Sequence, residues 1–255
     1  MRVLITRPAP DNARTAAALR ARGHHAVLAP LLRVEPLTPD LSGGPFAALV
    51  LTSANAARAL SRHPQRQAVA DLPVFAVGGA TAEAARAAGL ERITTAGGDA
   101  ADLVRVIAGK PAGSPTGSPA PLLYLAGETR AADVVGMLAA HGRPAQLAVI
   151  YRAAPQPLAA EAAAMLTAGE IDAVAHYSRR SALFYRDAAA GLGPAALAPL
   201  HVCFAEPVAQ VLREAGAARI AVIARPEEAL LLDCIDSAAN AAQSSGARSS
   251  GARSD

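Results

Sequence analysis

Tryptophan is absent from this chain of 255 residues, and aromatic residues make up only 3% of it. That scarcity removes the platforms on which nucleic-acid modules stack bases, so nucleic acid is not an expected partner. Cysteine is nearly absent as well. Cys203 and Cys234 form no close-spaced pair, which argues against a disulfide framework or a cysteine-based metal site, and their apolar neighbours mark them as core residues. No apolar run approaches the length of a membrane span, and Met1 leads straight into the strand-like "RVLITR" rather than a secretion signal. The expectation is a cytoplasmic protein with no membrane partner. Charge is sparse, at 18% of residues with a net +3. Arginine carries nearly all the positive charge and suits carboxylate or phosphate ligands, although so small an excess serves solubility equally well.

Familiar catalytic signatures are missing too. "GGATAEA" has neither the spacing nor the lysine of a phosphate-binding loop. No nucleophile elbow is present. The histidines have no metal-ligand spacing: His24 and His25 fall at a turn, His63 in a loop, and His176 and His201 at strand ends, so solvated or capping roles are expected. Glu227 and Glu228 follow Pro226 in a helical first turn, where the helix dipole accounts for both. No cofactor and no metal are expected.

What the chain does have is alternation. Hydrophobic residues reach 52%, enough for burial to drive folding. Short, near-continuous apolar runs are each followed by Ala-rich helical patterns: "RVLITR" by "DNARTAAALRARG", "VFAVGG" by "TAEAARAAG", "RITTAGG" by "DAADLVRVI". Asp11 is read as a helix N-cap, Gly23 as a residue just past a helix, and Asp99 and Asp102 as acids at a positive helix end. Strands alternating with helices, and apolar on both faces, predict parallel sheets covered on both sides. Two segments interrupt the pattern. "KPAGSPTGSPAP" (110–121) reads as a flexible loop, and from about Ala241 the chain becomes a low-complexity tail, 241–255, expected to be disordered.

The chain also resembles itself. "LVLTSANAARAL" (49–60) and "VAHYSRRSALFY" (174–185) share one form: an apolar run, a serine, then a helix. Sliding the second half over the first aligns Gly142 with Gly23, Ser178 with Ser53, Gly216 with Gly89 and Arg219 with Arg92. Each half thus carries the same βα series. Ligands of parallel sheets collect beyond the carboxyl ends of the strands, where helix N-termini offer free N–H groups to anions. The residues at those ends are small and polar: Thr6 and Arg7; Thr52, Ser53 and Asn55; Gly78, Gly79 and Thr81; Gly127, Glu128 and Thr129; Tyr177, Ser178 and Ser181. For each hydroxyl taken singly, helix capping is the better reading. Together they describe an anion-friendly rim. The residues alone point to a two-domain cleft protein for an anionic ligand. A non-catalytic two-lobed cytoplasmic binder stays open, as does a nucleotide-sugar transferase, for which the halves are small.

"VLITRPAPDNARTAAALRARG", "LVLTSANA", "VFAVGGATAEAARAAG", "LAVIYRAAP" and "HYSRRSA" resemble the uroporphyrinogen-III synthase family over residues 1 to about 235. The resemblance implies two similar doubly wound α/β domains that exchange segments: 1–33 plus 155–240, and 40–147, joined by strands at 31–37 and 147–154. It implies an enzyme, a lyase of haem biosynthesis, that cyclises hydroxymethylbilane to uroporphyrinogen III with loss of water and inversion of the last pyrrole ring. Its partner would be that linear tetrapyrrole, supplied by hydroxymethylbilane synthase, and the enzyme would be a monomer. Tyr151 matches the family tyrosine and would act on the departing hydroxyl; packing at the hinge is its competing role. Thr6, Arg7, Ser53, Ala54, Asn55, Gly78, Thr81, Arg130, Ser178 and Ser181 would bind substrate carboxylates. Two stretches depart from the family pattern. "AEPV" (205–208) has lost threonine hydroxyls and gained Glu206, and "GETR" (127–130) is loose around Arg130.

Overall fold

The computed structural model describes residues 1–110, 120–130 and 132–250, without the side chains of 243 and 245–250. Most of the loop expected at 110–121, and the last part of the expected tail, lie outside the described residues.

The chain divides into two compact units, Met1–Arg33 with Pro155–Asp255, and Val34–Ala154. The first holds a sheet of β1 (Arg2–Ile5), β2 (His25–Leu28), β9 (Ala173–His176), β10 (Leu200–Cys203) and β11 (Ile220–Val222), in the order β11-β10-β9-β1-β2. Every pairing in it is parallel. Helices α1 (Asp11–Ala21), α6 (Ala160–Thr167), α7 (Arg179–Ala190), α8 (Glu206–Glu214) and α9 (Glu228–Ser250) cover it. The second holds β3 (Leu32–Pro36), β4 (Leu49–Leu51), β5 (Val74–Ala76), β6 (Ile93–Thr95), β7 (Leu122–Gly127) and β8 (Ala145–Pro155), in the order β3-β8-β7-β4-β5-β6. Its helices are α2 (Ala54–Ser61), α3 (Gly79–Ala87), α4 (Ala100–Ala108) and α5 (Val134–Ala140). This is the α/β class that the alternation predicts.

Burial on both faces explains the unbroken apolar strands. Leu4 and Val174 pack on one face with Ala182, Tyr185 and Leu212, while Val3, Ile5 and Ala175 pack on the other with Leu19, Leu231 and Ile235. In the second unit Leu49, Leu51 and Leu123 face α2 and α3, and Val50, Leu122 and Tyr124 face α4 and α5. Each side of each sheet is therefore a core, as a parallel sheet requires.

The self-similar landmarks fall at matching structural positions. Ser53 and Ser178 are both extended N-cap residues whose side chains accept from the following helix. Gly23, Gly142, Gly89 and Gly216 all adopt positive φ just past a helix, where a side chain would be strained. Strands β1 and β2 of the first half sit beside β9–β11 of the second, while β7 and β8 sit beside β4–β6. The chain leaves the first unit along β3 and returns along β8. Gln156 N–H donates to Leu31 O and Leu37 N–H to Ile150 O, so these two strands run antiparallel, with Arg152 and Glu35 paired across them at 2.7 Å.

Several local expectations are corrected. Asp11 is the first residue of α1, and Pro10 occupies the N-cap. Helix α9 begins at Glu228, so Pro226 lies before it. It runs to Ser250, past Ala241. Helix α6 is not among the elements the pattern predicts: Ala160–Thr167 is Ala-rich and its only deeply buried residues are Ala162 and Leu166. His176 and His201 are fully buried rather than solvated, and His24 is nearly so. They sit on inner strands or over the core, where the surrounding side chains, not the histidine's polarity, decide exposure.

Candidate active site

In each sheet the chain reverses direction at one point, and parallel sheets bind ligands there, beyond the strand ends. In the second unit the reversal lies between β4 and β7. A cavity of about 290 Å³ opens at this position, lined by Thr52 and Ser53 after β4, Tyr124 and Gly127 of β7, Arg130 in the loop beyond, and Tyr151 of β8. The Thr52 and Tyr124 hydroxyls are hydrogen-bonded at 2.9 Å. Burial pushes the Tyr124 phenol up, against the opposing pull of the Thr52 hydrogen bond and the Arg130 charge. The Arg130 guanidinium donates to Gly127 O and Glu128 O at 3.1 and 3.0 Å, holding the loop that leaves β7.

Strand β8 brings Tyr151 to this cavity through an irregularity. Ala126 pairs with Val149 but Gly127 pairs with Tyr151, so β8 carries one extra residue at that step. Such a bulge re-aims the side chains that follow it. Glu128 N–H then donates to Tyr151 O at 3.0 Å and closes the pairing. Next to the cavity, Ser53 Oγ accepts from Asn55 N–H at 3.1 Å. Asn55 Oδ1 accepts from Arg58 at 2.9 Å. Ala54 is the first residue of α2. At the neighbouring strand end, Gly78 caps α3, and a Cβ on Gly78 or Gly79 would meet nothing within 4 Å. Thr81, by contrast, is buried beneath α3.

In the first unit the reversal lies between β1 and β9. Thr6 is fully buried and donates to Ala175 O at 2.8 Å, so its hydroxyl ties the two strands together. Arg7 lies 4.5 Å over the Tyr177 ring, 3.4 Å from Glu228 and 3.6 Å from Asp11. Its charge is answered within the unit by two carboxylates. Burial pushes the Tyr177 phenol up to about 12. Ser178 caps α7, accepting from Ser181 N–H at 3.2 Å, and the buried Ser181 returns its hydroxyl to Ser178 O at 2.9 Å. Glu206 opens α8 with Pro207 behind it, and Arg213 pairs with that carboxylate and holds it below the usual range.

The structure thus groups Ser53, Arg130 and Tyr151 around one cavity, and commits Thr6, Thr81 and Ser181 to the interior. Sequence reasoning missed Tyr124, and it placed Thr52 and Gly127 on the rim without assigning them to substrate. A single phenol inside the apolar strand "LLYLA" was the available signal, in a chain with only four tyrosines. Among the described residues no cluster of His, Cys, Asp or Glu could hold a metal ion, and no helix is long and apolar enough to cross a membrane.

The family model described as uroporphyrinogen-III synthase HemD matches residues 13–233. The chain belongs to the uroporphyrinogen-III synthase family. Solved members share its fold. The uroporphyrinogen-III synthetase of Helicobacter pylori superposes with a TM-score of 0.62 at 17% identity, over 93% of this chain and 99% of that one. A mutant uroporphyrinogen III synthase from the extremely thermophilic bacterium Thermus thermophilus gives 0.53 at 19% identity, over 94% and 99%. No match to a curated protein was found. Family membership places the chain in tetrapyrrole synthesis.

Proposed function

We propose that this synthase is a lyase that cyclises hydroxymethylbilane to uroporphyrinogen III, with the β4–β7 cavity of the second unit as its reacting centre. The observation that carries the reading is Tyr151 beside Thr52, Ser53 and Arg130 in a chain matched to the family over 13–233. The Tyr151 phenol donates to the terminal hydroxyl of the bilane as that group departs as water, driven by the electron pair of its own pyrrole. The azafulvene so formed is attacked by the substituted carbon of the last ring. The resulting spiro intermediate reopens and closes again, and a final proton loss restores the pyrrole. The side chains acetate and propionate are anionic, which suits Arg130, the Ser53 hydroxyl and the positive ends of α2 and α3. Holding the chain curled supplies much of the acceleration, because unguided closure joins the wrong carbon. We assign the enzyme to the cytoplasm, as a monomer that takes its substrate from hydroxymethylbilane synthase.

The test is to supply freshly made hydroxymethylbilane and identify the porphyrinogen isomer. Type III, faster than spontaneous closure, is expected; type I alone at the spontaneous rate would overturn the reading. Tyr151→Phe should lower turnover by about 10²-fold, the usual reach of a positioned acid, while the melting temperature stays within a few degrees. Unchanged turnover would remove Tyr151 from the chemistry.

A further inference from the structure

We infer that Gly127 is a positioning residue for Tyr151: the missing side chain at 127 is the space in which the phenol ring lies. This rests on the reading of Tyr151 given above. Three observations carry it. A Cβ built on Gly127 would stand 2.7 Å from Tyr151 Cζ and 2.9 Å from both Cε2 and the hydroxyl oxygen. Carbon atoms in ordinary contact are about 3.5–4.0 Å apart, so the ring and a methyl group cannot both be there. The close approach follows from the strand pairing, since the extra residue in β8 sets Tyr151 directly against Gly127. Finally, the carbonyl of Gly127 is held by Arg130 and the next amide is held by Tyr151 O, so the backbone at 127 cannot retreat without breaking both.

Glycine at 127 is therefore required by contact rather than by backbone conformation, and 127 is not among the glycines with positive φ. Other features were less decisive. The apolar groove of about 540 Å³ bordered by Leu158, Phe184 and Leu192 has nothing to identify an occupant. In the hollow of about 450 Å³ beside His24 and Asp236, those two polar groups are already bonded to one another at 2.7 Å. Gly127 is different because the atom it accommodates is the one assigned to the reaction.

The experiment is Gly127→Ala in the full chain, read in two ways. The first needs no substrate. With tyrosine labelled at ring carbon Cζ, four resonances are expected from Tyr124, Tyr151, Tyr177 and Tyr185. The one missing in Tyr151→Phe identifies Tyr151. Gly127→Ala should move that resonance and leave Tyr177 and Tyr185, which lie in the other unit, in place. An unmoved Tyr151 resonance in a folded Gly127→Ala protein overturns the inference. The second reading is kinetic. Gly127→Ala should lower kcat by about 10²-fold, the cost of a misplacement of roughly 1 Å, with KM changed less than kcat. In the Tyr151→Phe background the same substitution should cost almost nothing more. An equal loss in both backgrounds would mean that Gly127 does not act through Tyr151. If Gly127→Ala fails to fold, Gly127→Ala combined with Tyr151→Ala should melt where Tyr151→Ala alone does; a combined variant that still fails to fold overturns the inference. The resonance result stands independently of the isomer assay, so loss of the synthase reading would be seen separately, as type I product from the unaltered protein.

Discussion

His176 and His201 show what a buried residue of intermediate polarity demands. Their rings lie on neighbouring strands, with His176 Nε2 and His201 Nδ1 3.1 Å apart, so one nitrogen donates and the other accepts, and the pair is neutral. Tyr185 stands edge-on to both rings and spends its hydroxyl on Ala196 O at 2.6 Å. Burial holds His176 well below the usual histidine range and His201 down to about 4, with the Arg219 charge pushing the same way on His201. In the unfolded chain each histidine takes a proton near pH 6.5. Unfolding therefore binds protons below that pH, and stability is complete above about 6.5 and is lost as pH falls toward 4. A depression of this size for His201 alone corresponds to stability on the order of 3 kcal/mol. The urea midpoint should fall between pH 7 and pH 4.5, and the fall should shrink in His201→Phe. A midpoint that does not change with pH would refute the account. Cys203 obeys the same physics without a pH consequence in this range, since burial pushes its thiol up to about 12.

Helix starts are where the sequence spoke most plainly about elements. Asp99 accepts from Ala101 and Asp102 N–H while the Asp102 carboxylate accepts from Asp99 N–H, a reciprocal cap for α4 that two acids three residues apart announce. Asp99→Ala should cost about 1 kcal/mol, read as a lower melting temperature, and Ser178→Ala should cost a similar amount at α7. If neither substitution moved the transition, capping would be a poor account of these residues. Because these devices are local, Ser53, Ser178, the acidic start of α4 and the positive-φ glycines could be read from the chain alone, although Asp11 lies one residue inside its helix. What could not be read depends on neighbours chosen by the sheet. Thr52 and Tyr124 are 72 residues apart, and Arg7 and Glu228 are 221 apart. The bulge that turns Tyr151 toward Gly127 breaks the two-residue alternation on which strand reading depends. So the rim at the strand ends was legible, whereas which hydroxyls face inward was not. Thr6 and Ser181 looked like Ser53 in sequence and differ only in what packs around them.

On the scale of the whole molecule, the two units make unequal demands on the chain. The second is built from one continuous stretch, 34–154, with cores on both faces of its sheet. The first needs residues from both sides of that stretch. A fragment spanning 34–154 should fold alone, with a cooperative thermal transition. Residues 1–33 and 155–240 should each remain unfolded alone, because a two-stranded parallel pair is too small to be stable and β9 would lack β1 at the sheet centre. Mixing the two should restore circular dichroism that neither gives separately. A 34–154 fragment that failed to melt cooperatively would refute this division.

The separation of β1 from β9 also has a temporal side. Thr6 and Ala175, joined by a hydrogen bond in the finished sheet, are 169 residues apart. At a synthesis rate of about 5–20 residues per second, β1 leaves the ribosome roughly 10–30 s before its partner exists. The second unit can be complete by then. Throughout that interval Leu4 and Ile5, fully buried in the end, lack the β9–β11 half of the sheet and the later helices that complete their cover. The newborn protein thus passes through a stage in which half of it is finished and its first strand is an open edge, and that interval is when it has most need of a chaperone.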